Sequence, residues 1–115
     1  MIYAIQAVGT EFIKYGVAMS VGARLRNLRV ASPHELVILA TANWSNQAES
    51  RIHSLLRSEY VRGEWFRHRG LSLDIVRLML ENANESVLYA LRVIQSERAQ
   101  ARLGKVIELA NRRRE

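Results

Sequence analysis

The apolar positions of the chain alternate between strand-like and helical spacing in its first half and are helical from Ser72 onward. Ile2 to Val8 is rich in β-forming residues, Gly9-Thr10 is a tight-turn candidate, and Phe12 to Ala18 reads as the second arm of a hairpin. Ser20 can N-cap a helix running to about Val30, with Val21, Leu25 and Leu28 on its inner face; Ser32-Pro33 stops it. Glu35 to Ala42 is a nearly continuous apolar run, which predicts a third strand, central and covered on both faces. Ser45 or Asn46 starts a second helix to about Tyr60, with Ala48, Ile52, Leu55 and Leu56 inward. Gly63 breaks that pattern, and Glu64-Trp65-Phe66 reads as extended. From Ser72 the pattern is helical again. Leu73, Ile75, Val76, Leu78, Met79 and Leu80 predict a helix ending near Asn82, and Asn84 can cap a longer one from about Ser86 to Arg112. The apolar positions of that last helix include Val87, Leu88, Leu91, Ile94, Ala101, Val106, Ile107 and Ala110. The polar stretch Gln95 to Arg98 predicts that it bends, breaks or leaves the core. Strands confined to the N-terminal half and helices after them define an α+β domain with a helical C-terminal extension.

Composition narrows the classes. A length of 115 residues suits one domain with one core. The longest apolar run, Leu36 to Ala42, fits a buried strand and is far too short for a membrane span. Met1 leads directly into a strand-like segment without the basic and apolar stretches of a signal peptide, so cytoplasmic residence is expected. With no Cys, disulfides and thiolate zinc sites are excluded. The net charge is +6, carried by 15 Arg and 2 Lys. An Arg-rich surface suits phosphate recognition, because the guanidinium fork binds phosphate oxygens bidentately. Codon bias toward Arg would account for the ratio but not for the net charge.

A two-residue turn at Gly9-Thr10 pairs Val8 with Glu11, Ile5 with Lys14 and Tyr3 with Gly16. Tyr3 and Lys14 then project from one sheet face as diagonal neighbours, and Gly16 leaves space beside the phenol ring. Arg24 lies at the edge of the first helix's apolar stripe, and Glu49 flanks the stripe of the second, with His53 one turn later. A phenol, an amine, a guanidinium, a carboxylate and an imidazole thus converge. Phosphodiester cleavage uses these groups: a carboxylate to hold a divalent metal, cations to stabilise transition-state charge, and a lone-pair donor to steer water.

The segments Ile2-Tyr3, Ile13-Lys14-Tyr15-Gly16, Ala23-Arg24-Leu25, Ala48-Glu49 with Ile52-His53, and Gly63-Glu64-Trp65-Phe66 resemble, in order and spacing, the GIY-YIG nuclease superfamily. The likeness is strongest to its compact phage- and bacterial-type branch and covers roughly residues 1–70. It implies a GIY-YIG-like, mainly antiparallel three-stranded sheet flanked by helices, residues 71–115 packing on that core or mediating assembly. It also implies a metal-dependent endonuclease. Tyr3 would orient or deprotonate the attacking water, Arg24 and Lys14 would stabilise the phosphate, and Glu49 would be the single ligand of Mg²⁺ or Mn²⁺. His53 would be catalytic or support Glu49. Arg26, Arg29 and Arg51 are the expected nucleic-acid contacts, with DNA favoured over RNA. This chain departs from the family pattern at Met1, which replaces its first Gly, and at Lys14, which replaces the Tyr of many members. The late Asn of many members has no counterpart.

Each residue taken singly has a plainer role. Tyr3 suits any amphipathic strand, Lys14 guards an edge strand, Arg24 suits a solvated helix face, and Glu49 can pair with Arg51 or Arg57. Glu64 reads as a turn acid that places Trp65 and Phe66, in preference to a second acidic group near the metal. Two rival functions accompany the nuclease. One is a catalytically inactive nucleic-acid-binding module of the same fold. The other is an oligomerisation module, in which the apolar positions of the C-terminal helices form a homodimer.

Overall fold

The computed structural model describes residues 1–81 and 84–114, with backbone alone at Val106, Leu109 and 112–114. The hairpin is formed by β1 (Ile2–Ala7) and β2 (Phe12–Val17), paired antiparallel with Tyr3 opposite Gly16 and Ile5 opposite Lys14, the register the sequence predicts. The turn itself is set one residue earlier than expected. The Thr10 N–H donates to the Ala7 carbonyl at 3.1 Å, and Gly9 takes the left-handed conformation at φ 82° that favours glycine. The Ser20 hydroxyl accepts from the Ala23 N–H and caps α1 (Val21–Ala31).

The expected three-stranded sheet is a five-stranded one, ordered β3-β1-β2-β5-β4 and antiparallel throughout. β3 (Leu36–Ala42) lies at an edge rather than at the centre, because β1 pairs with both β2 and β3. Its apolar character comes from helices packed against it, α1 and α3, and Ile38 remains 38% exposed. The second helix also stops earlier than its pattern suggests. α2 spans Asn46–Leu55, a 3₁₀ turn follows at Arg57–Glu59, and Tyr60–Arg62 is strand β4. A turn with Gly63 at φ 56° leads into β5 (Trp65–Arg67), which pairs with β2 through Lys14–Trp65 and Ile13–Phe66. The Ser72 hydroxyl bridges the Glu59 carboxyl and the Arg67 carbonyl, fixing this corner to the start of α3 (Leu71–Leu80).

β1 is buried on both faces, so its alternation feeds two cores. Ile2 and Ala4 join Ile13, Tyr15, Phe66 and the inner faces of α2, α3 and α4 (Ser86–Arg114) in the larger one. Tyr3, Ile5 and Ala7 pack with Val21 and Leu25 of α1 and with Leu36 in the smaller one. Within α3, Leu73 and Leu80 are exposed, whereas Ile75, Val76 and Met79 are buried. The predicted end of α3 near Asn82 lies outside the described residues.

α4 starts beside Asn84, whose side-chain oxygen accepts from the Ser86 N–H. It neither breaks nor stays in the core. Leu88 and Leu91 are buried, Gln95 donates to the Leu55 carbonyl at 2.7 Å, and Arg98 pairs with Asp74 at 3.4 Å. Beyond Arg98 every residue whose side chain is described is exposed. No helix among the described residues is long and apolar enough to cross a membrane.

Candidate active site

Tyr3 is the anchor of the polar cluster. Its ring is almost wholly buried on the α1 face of the sheet and rests against Gly16 of β2. A Cβ at position 16 would lie 2.4 Å from the phenol oxygen and 2.9 Å from Glu64 Oε2, so the site admits only glycine without rearrangement. The Arg24 Nε–H donates to the phenol oxygen at 3.4 Å, while the rest of this exposed side chain faces solvent. Burial raises the Tyr3 pKa above its ordinary value, and the Glu64 and Glu49 charges add to the effect against the opposing Arg24. The resting phenol is therefore neutral at pH 7. It can orient a water through its hydroxyl.

Lys14 and Glu64 form the next layer. Lys14, buried although charged, sits 3.2 Å from Glu64 Oε2 and 5.6 Å from the centre of the Trp65 ring. Glu64 comes from the β4–β5 turn, where its carbonyl accepts from the Tyr15 N–H at 3.1 Å and extends the β2–β5 ladder by one bond. The Tyr15 carbonyl, past the end of that ladder, is taken by His53 Nε2 at 2.9 Å. A carbonyl can only accept, so Nε2 carries the hydrogen and His53 is held as a donor. Its ring also lies 5.0 Å from that of Phe66. His53 thereby pins α2 to the opened edge of β2, and Glu49, one turn earlier, reaches the cluster from there. Glu49 Oε1 is 3.9 Å from His53 Nε2. Burial and the neighbouring Glu64 carboxylate raise the Glu49 pKa, opposed by His53 and Lys14.

Tyr3, Lys14, Arg24, Glu49 and His53 thus belong to one neighbourhood, with Glu64 among them. Two of the three expected phosphate-binding arginines are engaged elsewhere. Arg29 spends Nε and a terminal nitrogen on the Leu36 carbonyl, at 3.3 and 3.1 Å, tying the end of α1 to β3. Arg51 faces Glu85 at 3.7 Å. Arg26 is exposed on α1. The Arg112 to Arg114 side chains lie outside the described residues.

Glu64 is the residue that sequence reasoning assigned to structure. Its proximity to Tyr3 and Glu49 depends on β5 pairing with β2, a long-range contact that no local pattern announces. Among the described residues no group of three or more His, Cys, Asp or Glu is placed to hold a metal ion. A cage for zinc or calcium is absent among them, but Mg²⁺ and Mn²⁺ need less: one or two carboxylates, waters and phosphate oxygens. The donor set fits such an ion, since Glu64 Oε2 is a buried oxygen without a hydrogen-bond partner beside a second carboxylate. Compared with models of protein families, with curated proteins and with solved structures, the chain matches none.

Two outcomes follow from this geometry. Gly16→Ala must push the Tyr3 ring out of its bed, a cost of about 1–3 kcal/mol on the usual scale of overpacking. Urea denaturation measures it, and a loss below about 0.5 kcal/mol would show that Tyr3 is free to move. Glu49→Gln stabilises the metal-free fold. A carboxyl whose pKa is raised by folding favours the folded state below its unfolded pKa, and that contribution is lost as pH rises through the folded value. The variant should therefore have the higher denaturation midpoint at pH 7, with the difference closing as pH falls toward 4. A lower midpoint at pH 7 would refute the assigned electrostatics.

Proposed function

We propose that the chain is a metal-dependent endonuclease that hydrolyses DNA phosphodiester bonds, using Mg²⁺ or Mn²⁺. The observation that carries this reading is the gathering of Tyr3, Lys14, Arg24, Glu49 and Glu64 at one opened sheet edge. Binding alone would not call for carboxylates there, because they repel phosphate. Glu49 would hold the cation, which when bound would supply charge neutralisation at the phosphate and acidify water. Arg24 keeps one donor on Tyr3 and offers its remaining N–H groups to phosphate oxygens. Lys14 adds positive charge on the far side of the phenol. The neutral Tyr3 hydroxyl orients the water for in-line attack on phosphorus. As the new P–O bond forms, the bond to the leaving sugar oxygen breaks, the attacking water giving up a proton to solvent and the leaving oxygen taking one from it. His53 positions Glu49 and β2.

Plasmid and single-stranded DNA incubated with Mg²⁺ or Mn²⁺ test the reading. Wild type should cut at least one of them and stop on addition of EDTA. Arg24→Ala should slow cutting about 10²–10³-fold, and Glu49→Gln should reduce it to background. Cutting by Glu49→Gln at the wild-type rate would remove Glu49 from the mechanism. Salt-sensitive DNA binding without cutting would instead favour an inactive binding module.

We also propose that two copies pair through α4. Tyr89, Val93, Leu103 and Ile107 are exposed, and with Ser96 and Gln100 they form a stripe spaced alternately four and three residues apart. That spacing is a coiled-coil seam on the side of the helix away from Leu88 and Leu91. Arg92 and Glu97 flank it with the five-residue offset that pairs opposite charges in a parallel dimer. Sizing with light scattering should give a dimer for wild type and a monomer for Leu103→Glu. A monomeric wild type across micromolar concentrations rejects the pairing.

A further inference from the structure

We infer that Glu64 is a second carboxylate ligand of the divalent cation, acting with Glu49, and that Lys14 occupies the cation's electrostatic role when the cation is absent. The use to which the cation is put rests on the nuclease reading above; the cation site itself does not. Three observations carry the inference. First, Glu64 is fixed in place by its backbone, with Gly63 in the left-handed turn before it and the Tyr15 N–H bonded to its carbonyl at 3.1 Å. Second, its Oε2 is enclosed yet has no directed hydrogen bond, although the Lys14 ammonium lies 3.2 Å away. Third, that oxygen and the Tyr3 hydroxyl are packed close together over Gly16. A Cβ placed there would lie within 2.9 Å of one and 2.4 Å of the other. Glu49 faces Glu64 closely enough for their charges to repel.

Glu49 and Glu64 face one another, and among the described residues the ammonium of Lys14 alone lies within ion-pair distance of Glu64. A hard divalent cation that takes oxygen ligands and retains waters suits that arrangement, and it needs no third protein ligand. Such an ion would draw Glu64 from Lys14. The ammonium, still buried beside Trp65, would then have the approaching phosphate as its counter-charge. Cation and lysine thus exchange partners at Glu64, so substrate charge meets a free Lys14 only in the loaded site.

A plainer role for Glu64 is to hold Lys14 in position. The two roles make opposite predictions for Lys14→Met. If Glu64 is a ligand, Lys14 competes with the cation, and its removal leaves Mn²⁺ affinity unchanged or tighter. If Glu64 only holds the lysine, Lys14→Met reproduces whatever Glu64→Gln does.

Mn²⁺ binding to the full chain without nucleic acid, read from the free-ion electron paramagnetic resonance signal, decides between them. Wild type should bind Mn²⁺. Glu64→Gln should weaken binding by about tenfold or more, and Glu49→Gln should weaken it likewise. Lys14→Met should bind as well as wild type or better. Wild-type binding by Glu64→Gln overturns the inference, as does equal weakening in Lys14→Met or a wild type that takes up no Mn²⁺. Should circular dichroism show Glu64→Gln unfolded, Lys14→Met and Glu64→Asp decide in its place. Weakened binding in Lys14→Met overturns the ligand role, and retained binding in both supports it. The expected Mn²⁺ pattern without cutting of any nucleic acid would sink the nuclease reading alone.

Discussion

The packing of Tyr3 on Gly16 across the β1–β2 ladder is the contact on which the candidate site depends. A phenol ring can lie flat against a neighbouring strand only where that strand has no side chain, and the built Cβ at position 16 would overlap the ring's hydroxyl end. That bed sets the position of the phenol oxygen, and through it the Nε of Arg24. It also lets Glu64 Oε2 approach the phenol over Gly16. Strand register therefore does two things here: it pairs the backbones, and it brings one chosen residue without a side chain beneath the tyrosine.

The electrostatics of the cluster work against folding. Glu49 and Glu64 repel one another, burial disfavours the Glu49 charge, and Tyr3 feels both carboxylates. A sequence selected for stability alone would replace one of the acids with an amide. Groups held at such a disadvantage, in a site open to solvent on the Arg24 side, are characteristic of places where a ligand supplies the missing charge. Structural ion pairs, by contrast, are satisfied within the protein. Arg98 on Asp74 is of that kind.

How much of this was legible beforehand follows the range of each interaction. The hairpin register came from counting across a turn, and it held even though the turn closes at Ala7–Thr10. The Ser20 cap and the inner faces of α1 and α2 are local too, and a 3.6-residue period was enough to place Arg24 and Glu49. The edge position of β3 was not legible. An apolar run reports that helices cover the strand, not which strands flank it. The short strand β4 was hidden because the helical spacing of α2 runs on to Tyr60, and although Glu64-Trp65-Phe66 reads as extended, the pairing of β5 with β2 was not legible. What ends that helix is the corner held by Ser72, Glu59 and the Arg67 carbonyl, and it draws on distant residues. The proximity of Glu64 to Tyr3 and Glu49 was hidden for the same reason.

That placement of Glu64 shows how the site is built. Tyr3 and Lys14 project from one face of the sheet, whereas α2 packs on the other through Ala48 and Ile52. In a continuous sheet, Glu49 could not reach them. β5 pairs with β2 only as far as Lys14, and Glu64 contributes the final ladder bond before the chain turns away. The Tyr15 carbonyl this exposes would be costly to leave unpaired, and His53 closes it. The same interruption that demands a histidine on α2 thus admits a carboxylate one turn earlier, from the opposite layer. Lengthening β5 by one pair would satisfy Tyr15 by backbone alone and shut Glu49 out, so the shortness of this strand is what joins the two halves of the site.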